Sequence, residues 1–284
     1  MLLRAESWQL RTQAISFDRT PRLMGIINVT PDSFSDGGKT LEAAAAVEHG
    51  LRLVEAGADL LDVGGESTRP SAEKVDVREE LRRVLPVVRA LVEKVTVPVS
   101  VDTSKAAVAR EAIAAGAEVV NDVTACRADP DMIPLIAETA CGVCVMHMQG
   151  TPATMQQNPT YANVVEDVFG FLRDRRDALE AAGIQRTHIA VDPGIGFGKT
   201  LEHNLDLLRN ARRFQQLGCP VLVGHSRKRF IGAVLGDDAA DRTAGTIGSA
   251  LALARHGVHL LRLHDVAEVR QAIQLFEACG GLDG

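Results

Sequence analysis

The chain of 284 residues lacks the features that mark several classes of protein. It has no apolar run near the ~20 residues that a membrane span needs, so we expect no membrane partner. Residues 1–20 hold no apolar signal core, and the expected location is therefore the cytoplasm. The formal net charge is −6 and no basic stripe is present, which argues against nucleic acid as a partner.

Cysteine is scarce, and its number is odd. Five cysteines in a chain of this length predict free thiols in a reducing compartment rather than a disulfide framework. Cys141 and Cys144 have the spacing of a redox or zinc pair, but they belong to an apolar, strand-like run. Residues three apart on a strand face opposite sides, so we expect both to be buried core residues.

The sequence contains instead a regular alternation of short apolar runs and helical segments. Such alternation predicts parallel βα units with right-handed crossovers. Eight units favour an α/β fold closed as a (β/α)8 TIM barrel, with an open doubly wound sheet as the alternative. The predicted strands are 22–28, 59–63, 97–102, 118–122, 142–147, 188–192, 220–225 and 258–264.

No linker, low-complexity stretch or composition shift divides the chain. A single domain is therefore expected over residues 1–284. Within it, residues 1–20 would be an N-terminal extension and residues 280–284 a frayed tail.

Several helix starts carry recognisable cap residues. Capping-box spacing predicts one helix after Asp76, with Glu79 as its partner, and another after Asp265, with Glu268 as its partner. Residues 103–104 are expected to cap the helix that follows the third strand.

The predicted strands end at or beside polar residues. In a (β/α)8 barrel the carboxyl ends of all strands surround one mouth, where the active sites of such enzymes lie. The run-ends therefore predict a single polar ring, made of Asn28, Asp62, Asp102, Asn121, Asp122, His147, Asp192, His225, Ser226, Arg262 and His264.

Groups on the last two strands suit an anion. Ser226 and the backbone N–H groups of a helix predicted to open there can bind phosphate or carboxylate, and Arg262 adds a fork of donors. Arg262 and His264 are two apart on one strand, so they face the same side. The alternatives are that Arg262 pairs with an acid on the rim and that His264 is a core histidine.

Asn28 ends the first strand and could be a single protein ligand for Mg²⁺. Magnesium usually keeps several waters and takes further ligands from substrate phosphates. The alternative is that Asn28 caps the turn that follows it.

Acceptors end three other strands. Asp102, Asn121 and Asp192 would suit a ligand edge rich in N–H donors, such as an aminopyrimidine-like ring. The alternative for both aspartates is a loop or helix cap. Lys228 could reach the same cavity as a donor, or it could be a solvated helix charge.

Other residues could line or close the cavity. Met146 and Phe197 could form apolar walls, although core packing is the alternative. Two long, glycine-containing loops follow the first two strands and carry Asp32, Thr68 and Arg69. Such loops at a barrel mouth are typical of lids, and ordinary surface loops are the alternative.

Eight stretches, taken in order, resemble the dihydropteroate synthase family of pterin-binding barrels. They cover nearly the whole predicted barrel: Met24–Gly38 (MGIINVTPDSFSDGG), Asp62–Pro70 (DVGGESTRP), Val101–Ser104 (VDTS), Asn121–Val123 (NDV), Met146–Gln156 (MHMQGTPATMQ), Asp192–Lys199 (DPGIGFGK), Ser226–Lys228 (SRK) and Arg262–Val266 (RLHDV). The resemblance implies transfer of a dihydropterin-methyl group from (7,8-dihydropterin-6-yl)methyl diphosphate onto 4-aminobenzoate. It also implies Mg²⁺ as cofactor, pyrophosphate release and a homodimer built through outer helices.

Roles for single residues follow from the same resemblance. Asn28 resembles the magnesium ligand, and Arg262 and His264 resemble diphosphate ligands. The residues similar to pterin contacts are Asp102, Asn121, Asp192 and Lys228, and those similar to aminobenzoate and diphosphate contacts are Thr68, Arg69 and Ser226. Because the amine is already nucleophilic, the protein's task is to stabilise the departing pyrophosphate and the cationic carbon. We therefore expect the catalytic residues to be Asp32, which would face that charge, with Arg69, Lys228, Arg262 and His264.

Two residues depart from the family pattern. Ser71 stands where the family commonly has glycine, and His225 stands where smaller residues are usual and would lie near the aminobenzoate site. His225 could therefore alter acceptor or sulfonamide binding. Asp62 and His147 receive no role, and a structural one is the default.

Two other functions compete with this interpretation. One is a pterin-binding barrel that has lost turnover. The other is a methyltransferase that uses methyltetrahydrofolate and a corrinoid partner. The second needs no diphosphate site, so the stretches around Ser226 and Arg262 count against it.

Overall fold

A computed structural model describes residues 4–30, 39–67 and 74–283 of the chain. Two short strands come first and pair as an antiparallel hairpin, β1 (Ser7–Gln9) and β2 (Ala14–Ser16). Eight parallel strands then form the central sheet: β3 (Arg22–Asn28), β4 (Leu60–Gly64), β5 (Val99–Asp102), β6 (Val119–Asp122), β7 (Gly142–Met146), β8 (Ile189–Asp192), β9 (Leu222–Gly224) and β10 (Leu260–Leu263).

The eight parallel strands close into a barrel. Strands β3 to β8 pair in chain order, β10 pairs with β3, and β9 pairs with β10. The remaining seam is closed between β8 and the start of β9, where Val191 bridges Val221 and donates its N–H to Pro220 O at 2.9 Å. The predicted (β/α)8 barrel is confirmed, and the open sheet is wrong.

Helices cover the outside of the barrel. In chain order they are α1 (Lys39–Glu55), α2 (Val77–Lys94), α3 (Ala106–Ala114), α4 (Met132–Thr139), α5 (Val164–Ala181), α6 (Leu201–Arg209), α7 (Arg229–Leu235), α8 (Thr243–Arg255) and α9 (Val266–Ala278). Short 3-10 turns lie at Arg186–His188 and Ala211–Leu217. Among the described helices, none combines the length and apolarity that a membrane crossing requires.

Alternation along each strand divides the core into two layers. On β7, Val143 and Val145 pack with the helices, whereas Cys144 points inward and joins Met24 and Leu60 in the barrel interior. Cys141 belongs to the outer layer. Both cysteines are buried with free thiols, as predicted.

The first described residues close the amino end of the barrel. Trp8 is fully buried from solvent and packs with the inward residues of the strand starts, and its Nε1 donates to His188 O at 2.9 Å. Glu118, which precedes β6, accepts from Thr12 N at 2.8 Å and from Thr12 Oγ1 at 2.6 Å. The predicted N-terminal extension is therefore a hairpin that seals the bottom of the barrel.

The C-terminal residues also differ from expectation. Gly281 N donates to Phe276 O at 2.8 Å, and Asp283 N donates to Gly280 O at 3.0 Å. Residues 280–283 thus form a turn against the end of α9 rather than a frayed tail.

Of the predicted helix caps, one is confirmed in part. Asp76 accepts from Glu79 N at 2.8 Å, but the Glu79 carboxylate binds arginines of its own helix instead of returning to the cap. Asp265 caps nothing with its side chain and pairs with Arg227. Residues 103–104 do not cap α3 either, because the first N–H of that helix, from Ala106, donates to Asp129 Oδ2 at 2.8 Å.

Candidate active site

The ends of β3, β5 and β6 bring Asn28, Asp102 and Asn121 into register at the barrel mouth. Asn28 is paired in register with Gly64, Gly64 with Asp102, and Asp102 with Asn121 on successive strands. Gly64 matters here because an added Cβ would lie 3.4 Å from the Asp102 Cβ and narrow the mouth. Asn28 itself is half-buried at the end of β3.

Arg262 lies at the centre of this mouth and bridges two carboxylates. Its Nε donates to Asp62 Oδ2 at 2.6 Å, and its Nη2 donates to Asp102 Oδ2 at 2.8 Å. Asn121 Nδ2 donates to the same Asp62 oxygen at 3.0 Å. Although burial alone would lower the pKa of Arg262, the charges of Asp62 and Asp102 raise it above its ordinary value. Arg262 therefore stays cationic inside the barrel.

Asp102 has the most altered acidity of these carboxylates. Burial raises its pKa to about 7, and the neighbouring charges of Asp62 and Glu80 act in the same direction, whereas Arg262 opposes them. Asp102 is still 14% exposed, so it can be reached from the mouth. N–H donors from a ligand would stabilise the charged form of such a buried carboxylate.

Asp192, at the end of β8, and Lys228, in the loop after β9, form a second polar group at the mouth. Asp192 Oδ1 accepts from Gly194 N at 2.7 Å, and burial raises the pKa of Asp192 while the Lys228 charge opposes that shift. The Lys228 ammonium donates to Ile195 O and lies 4.5 Å from the centre of the Phe197 ring. Burial lowers the pKa of Lys228 to about 8. Lys228 is thus a half-buried donor at the cavity and not a solvated helix charge.

The apolar residues predicted as walls form one small cluster. Met146 packs with Met148 and Met155, and Phe197 with Val123 lies against them. This cluster is separate from the main core. An apolar surface beside Asp192 and Lys228 suits the face of a flat, polar-edged ring.

Ser226 and His264 bond to one another across the last two strands. Ser226 Oγ lies 3.1 Å from His264 Nδ1 and accepts from His264 N at 3.2 Å. Burial, followed by the charges of Arg262 and Arg227, lowers the pKa of His264 to about 4. His264 is therefore a neutral imidazole at neutral pH.

The helix predicted to open at Ser226 begins three residues later, at Arg229. The intervening Arg227 has φ +56°, and its N–H donates to Thr246 Oγ1 at 3.1 Å. That N–H is already used within the fold. The side chains that can donate to an anion at this edge are those of Arg262, Ser226 and His264.

His225 points away from the mouth. It is fully buried, and its Nε2 lies 3.2 Å from Thr246 O on α8. Burial lowers its pKa to about 4. The structure therefore gives no contact between His225 and the mouth through which this residue would alter acceptor or sulfonamide binding.

Lys199 was missed by the sequence reasoning. It is buried, with Nζ 2.9 Å from His147 Nδ1 and donating to Phe197 O at 2.9 Å, and burial places its pKa well below the ordinary lysine value. It ties the loop after β8 to the end of β7. The glycines of that loop were an available signal, since a Cβ at Gly194 would lie 1.9 Å from His147 O. His147 thus has the structural role assigned to it by default.

Four residues singled out in the sequence, Asp32, Thr68, Arg69 and Ser71, lie outside the described residues. Within the described part of the chain, no three His, Cys, Asp or Glu side chains are grouped to hold a metal ion. A divalent cation at Asn28 would therefore take most of its ligands from substrate and water, which is the usual habit of Mg²⁺.

Comparison with known proteins gives a consistent result. Residues 24–264 match the family described as pterin binding enzyme. The dihydropteroate synthase of Escherichia coli (strain K12) is 44% identical over 271 residues, which are 95% of this chain and 96% of that protein. The Xanthomonas albilineans dihydropteroate synthase solved with 4-aminobenzoic acid has a TM-score of 0.90 and 46% identity, covering 97% of this chain and 98% of that one. A structure of the Xanthomonas albilineans enzyme in complex with 7,8-dihydropteroate has a TM-score of 0.86 and 44% identity, covering 96% and 98% of the two chains.

Proposed function

This chain belongs to the dihydropteroate synthase family of pterin-binding enzymes. From that premise we propose which residues at the mouth of its barrel bind the pterin and which bind the diphosphate. The protein is a transferase of folate biosynthesis that condenses (7,8-dihydropterin-6-yl)methyl diphosphate with 4-aminobenzoate. The observation that carries the proposed roles is the position of Arg262. It lies between the acceptors of β4 and β5, and its strand leads to His264, which bonds to Ser226 after β9.

The pterin is read by acceptors on one side and a donor on the other. Asp102 and Asp192 would each accept N–H bonds from the pterin edge, with Asn121 beside Asp102. Lys228 would donate to a ring nitrogen or oxygen while its charge stabilises Asp192. Met146 and Phe197 supply apolar surface for the faces of the ring.

The diphosphate is held at the opposite edge. Arg262 offers terminal guanidinium nitrogens to it. Ser226 donates its O–H to His264 Nδ1, which leaves the His264 Nε2–H as the donor to the diphosphate. Asn28 would hold Mg²⁺ together with diphosphate oxygens, because a lone amide oxygen suits an ion whose other ligands are phosphate and water. When bound there, Mg²⁺ supplies charge neutralisation for the leaving group.

The chemistry requires positioning more than proton transfer. The C–O bond between the pterin methylene carbon and the diphosphate breaks, and the electron pair leaves with pyrophosphate. The arylamine nitrogen forms the new C–N bond and then loses a proton to solvent. Arg262 and Lys228 stabilise charge where it develops. Asp32, Thr68 and Arg69 remain proposed contributors from the two long loops.

Magnesium dependence tests the metal assignment. The protein is incubated with the pterin diphosphate and labelled 4-aminobenzoate, with Mg²⁺ supplied or removed by EDTA. We expect dihydropteroate only with Mg²⁺, and Asn28→Ala should raise the Mg²⁺ concentration for half-maximal turnover about tenfold. Asn163→Ala, which removes a helix cap on α5, is the matched control. An unchanged Mg²⁺ requirement in Asn28→Ala would remove Asn28 from the metal site.

Pterin affinity should depend on pH through Asp102. Its ordinary pKa is 3.8 and its pKa in the fold is about 7, so below about pH 7 it becomes protonated and can accept fewer N–H bonds. The dissociation constant of a dihydropterin should then rise about tenfold for each pH unit below that point. Calorimetry across this range measures it. We call this loss of affinity below about pH 7 the acid limb. Asp102→Asn should bind weakly at every pH, and an acid limb that persists in this variant would assign the titration to another group.

We also propose a homodimer in the cytoplasm. The large apolar residues that are most exposed in the described part of the chain are Val234 and Leu235 on α7 and Leu275 on α9, and α8 packs against α9. Large apolar side chains exposed on outer helices favour self-association. Light scattering would measure the mass, and a monomer at micromolar concentration would contradict the dimer. Five free thiols agree with a reducing compartment.

A further inference from the structure

Asp62, in the middle of β4, is fully enclosed, although the sequence assigned it no role. Its side chain is 0% exposed, and its Oδ2 accepts from both Arg262 Nε and Asn121 Nδ2. Among the described residues, no donor lies within hydrogen-bond distance of its Oδ1. A buried carboxylate is costly unless it is paired, so Arg262 and Asp62 depend on one another.

The two bonds to Asp62 determine which atoms of its partners face a ligand. Because Asn121 uses Nδ2 on Asp62, its side-chain oxygen is left as the acceptor toward the cavity. Because Arg262 uses Nε on Asp62, its terminal nitrogens are left for Asp102 and for an anion. One carboxylate thereby orients a group on the pterin side of the mouth and a group on the diphosphate side.

Arg262 is shared between a carboxylate that a ligand can reach and one that it cannot. Asp102 is 14% exposed, whereas Asp62 is 0% exposed. A pterin edge that donates N–H bonds to Asp102 therefore competes with Arg262 for that carboxylate. The bond from Arg262 to Asp62 lies below the reach of the substrate and can persist through the reaction.

We propose that Asp62 is a positioning residue of the transfer reaction, which holds the Arg262 guanidinium at the leaving diphosphate while Asp102 is engaged by the pterin. Asp62 acts through Arg262 and touches no reacting atom. The inference rests on the proposed role of Arg262 at the diphosphate, and the experiment below separates the two.

A double-mutant cycle on kcat tests whether Asp62 acts through Arg262. The variants are Asp62→Asn, Arg262→Gln and the pair, with thermal unfolding to establish that each is folded. Loss of turnover in Arg262→Gln tests the role of the arginine. We expect Asp62→Asn to lower kcat roughly 10- to 100-fold in the otherwise unchanged enzyme, and less than about threefold when Arg262 is already Gln. Asp62→Ser is the second variant if the amide does not fold.

The matched control is Glu118→Gln. Like Asp62, Glu118 is a buried carboxylate that accepts two hydrogen bonds. Both of its bonds come from Thr12, at the amino end of the barrel. It should lose stability without a change in kcat. An equal loss of kcat from Asp62→Asn in both arginine backgrounds would overturn the proposal, and so would no loss in either.

The acid limb of pterin binding is an independent readout. The charged groups that act on Asp102 are Asp62 on β4, Glu80 on α2, Asp122 on β6 and Arg262 on β10. Removing the Asp62 charge removes one group that raises the Asp102 pKa and frees Arg262 to pair with Asp102 alone. The limb should therefore move to lower pH in Asp62→Asn and stay in place in Glu118→Gln. A limb that does not move in Asp62→Asn contradicts the proposed coupling.

Discussion

Replacing Arg262 with alanine is expected to lower kcat by about 10²-fold or more. Arg262 is the only cation that bonds to both Asp62 and Asp102 among the described residues, and it is the group proposed to hold the departing diphosphate. The loss should fall on kcat, because the charge on the leaving group is greatest in the transition state. Rapid-quench measurement of pyrophosphate release would report the chemical step directly.

Stability must be measured beside turnover in this variant. Arg262→Ala leaves two buried carboxylates without their counter-charge, which can cost about 3–5 kcal/mol of unfolding free energy. Arg270→Ala is a suitable control, since Arg270 also bonds to an aspartate, Asp59, but on the outer side near the start of β4. Arg262→Lys keeps the charge and loses the planar fork, so it should recover only part of kcat. Wild-type kcat in a folded Arg262→Ala enzyme would reject the leaving-group role.

Asp192→Ala is expected to abolish measurable pterin binding. The change removes a buried carboxylate that would accept two N–H bonds, each of about 1.5–3 kcal/mol, and it leaves Lys228 without its neighbouring charge. Calorimetry with a dihydropterin, in the absence of 4-aminobenzoate, isolates this effect from catalysis. The expected loss of affinity is about 10²-fold or more.

The control for Asp192 is an aspartate outside the barrel. Asp206→Ala on α6 removes a half-exposed carboxylate that pairs with Arg209, a neighbour on its own helix. It should bind the pterin as the unchanged enzyme does. Wild-type affinity in Asp192→Ala would instead place the pterin edge elsewhere in the mouth.

The barrel could be predicted from the sequence because both of its patterns, the short apolar runs and the helical segments between them, are strong. Eight apolar runs separated by helical segments leave few other parallel folds, and every strand of the barrel lies within two residues of its predicted bounds. The strand-end polar residues follow from the same pattern, since parallel strands place all their carboxyl ends together. The hairpin at residues 7–16 could not be predicted this way, because three-residue strands show no period.

The hydrogen-bond partners of side chains across the barrel could not be predicted from the sequence. Asp265 has cap spacing, but Arg227 lies close enough in the fold to take its carboxylate. Asp62 and Asp102 both come near the end of a predicted strand, and only the fold shows that Asp62 lies two residues deeper and is enclosed beneath Arg262. The turn at Arg227 was hidden because a positive φ at arginine carries no sequence signal, whereas glycine would have given one.

The hairpin that seals the barrel has a consequence for how the chain assembles. Trp8 bonds to a residue 180 positions away, Thr12 to one 106 away, and Arg4 to Gly257, 253 positions away. These partners leave the ribosome long after the hairpin itself, so the hairpin lacks them until most of the barrel has been synthesised. Such distant contacts slow folding and leave apolar residues such as Trp8 uncovered in the meantime. The hairpin is therefore a segment of the nascent chain that stays open to aggregation until the barrel closes.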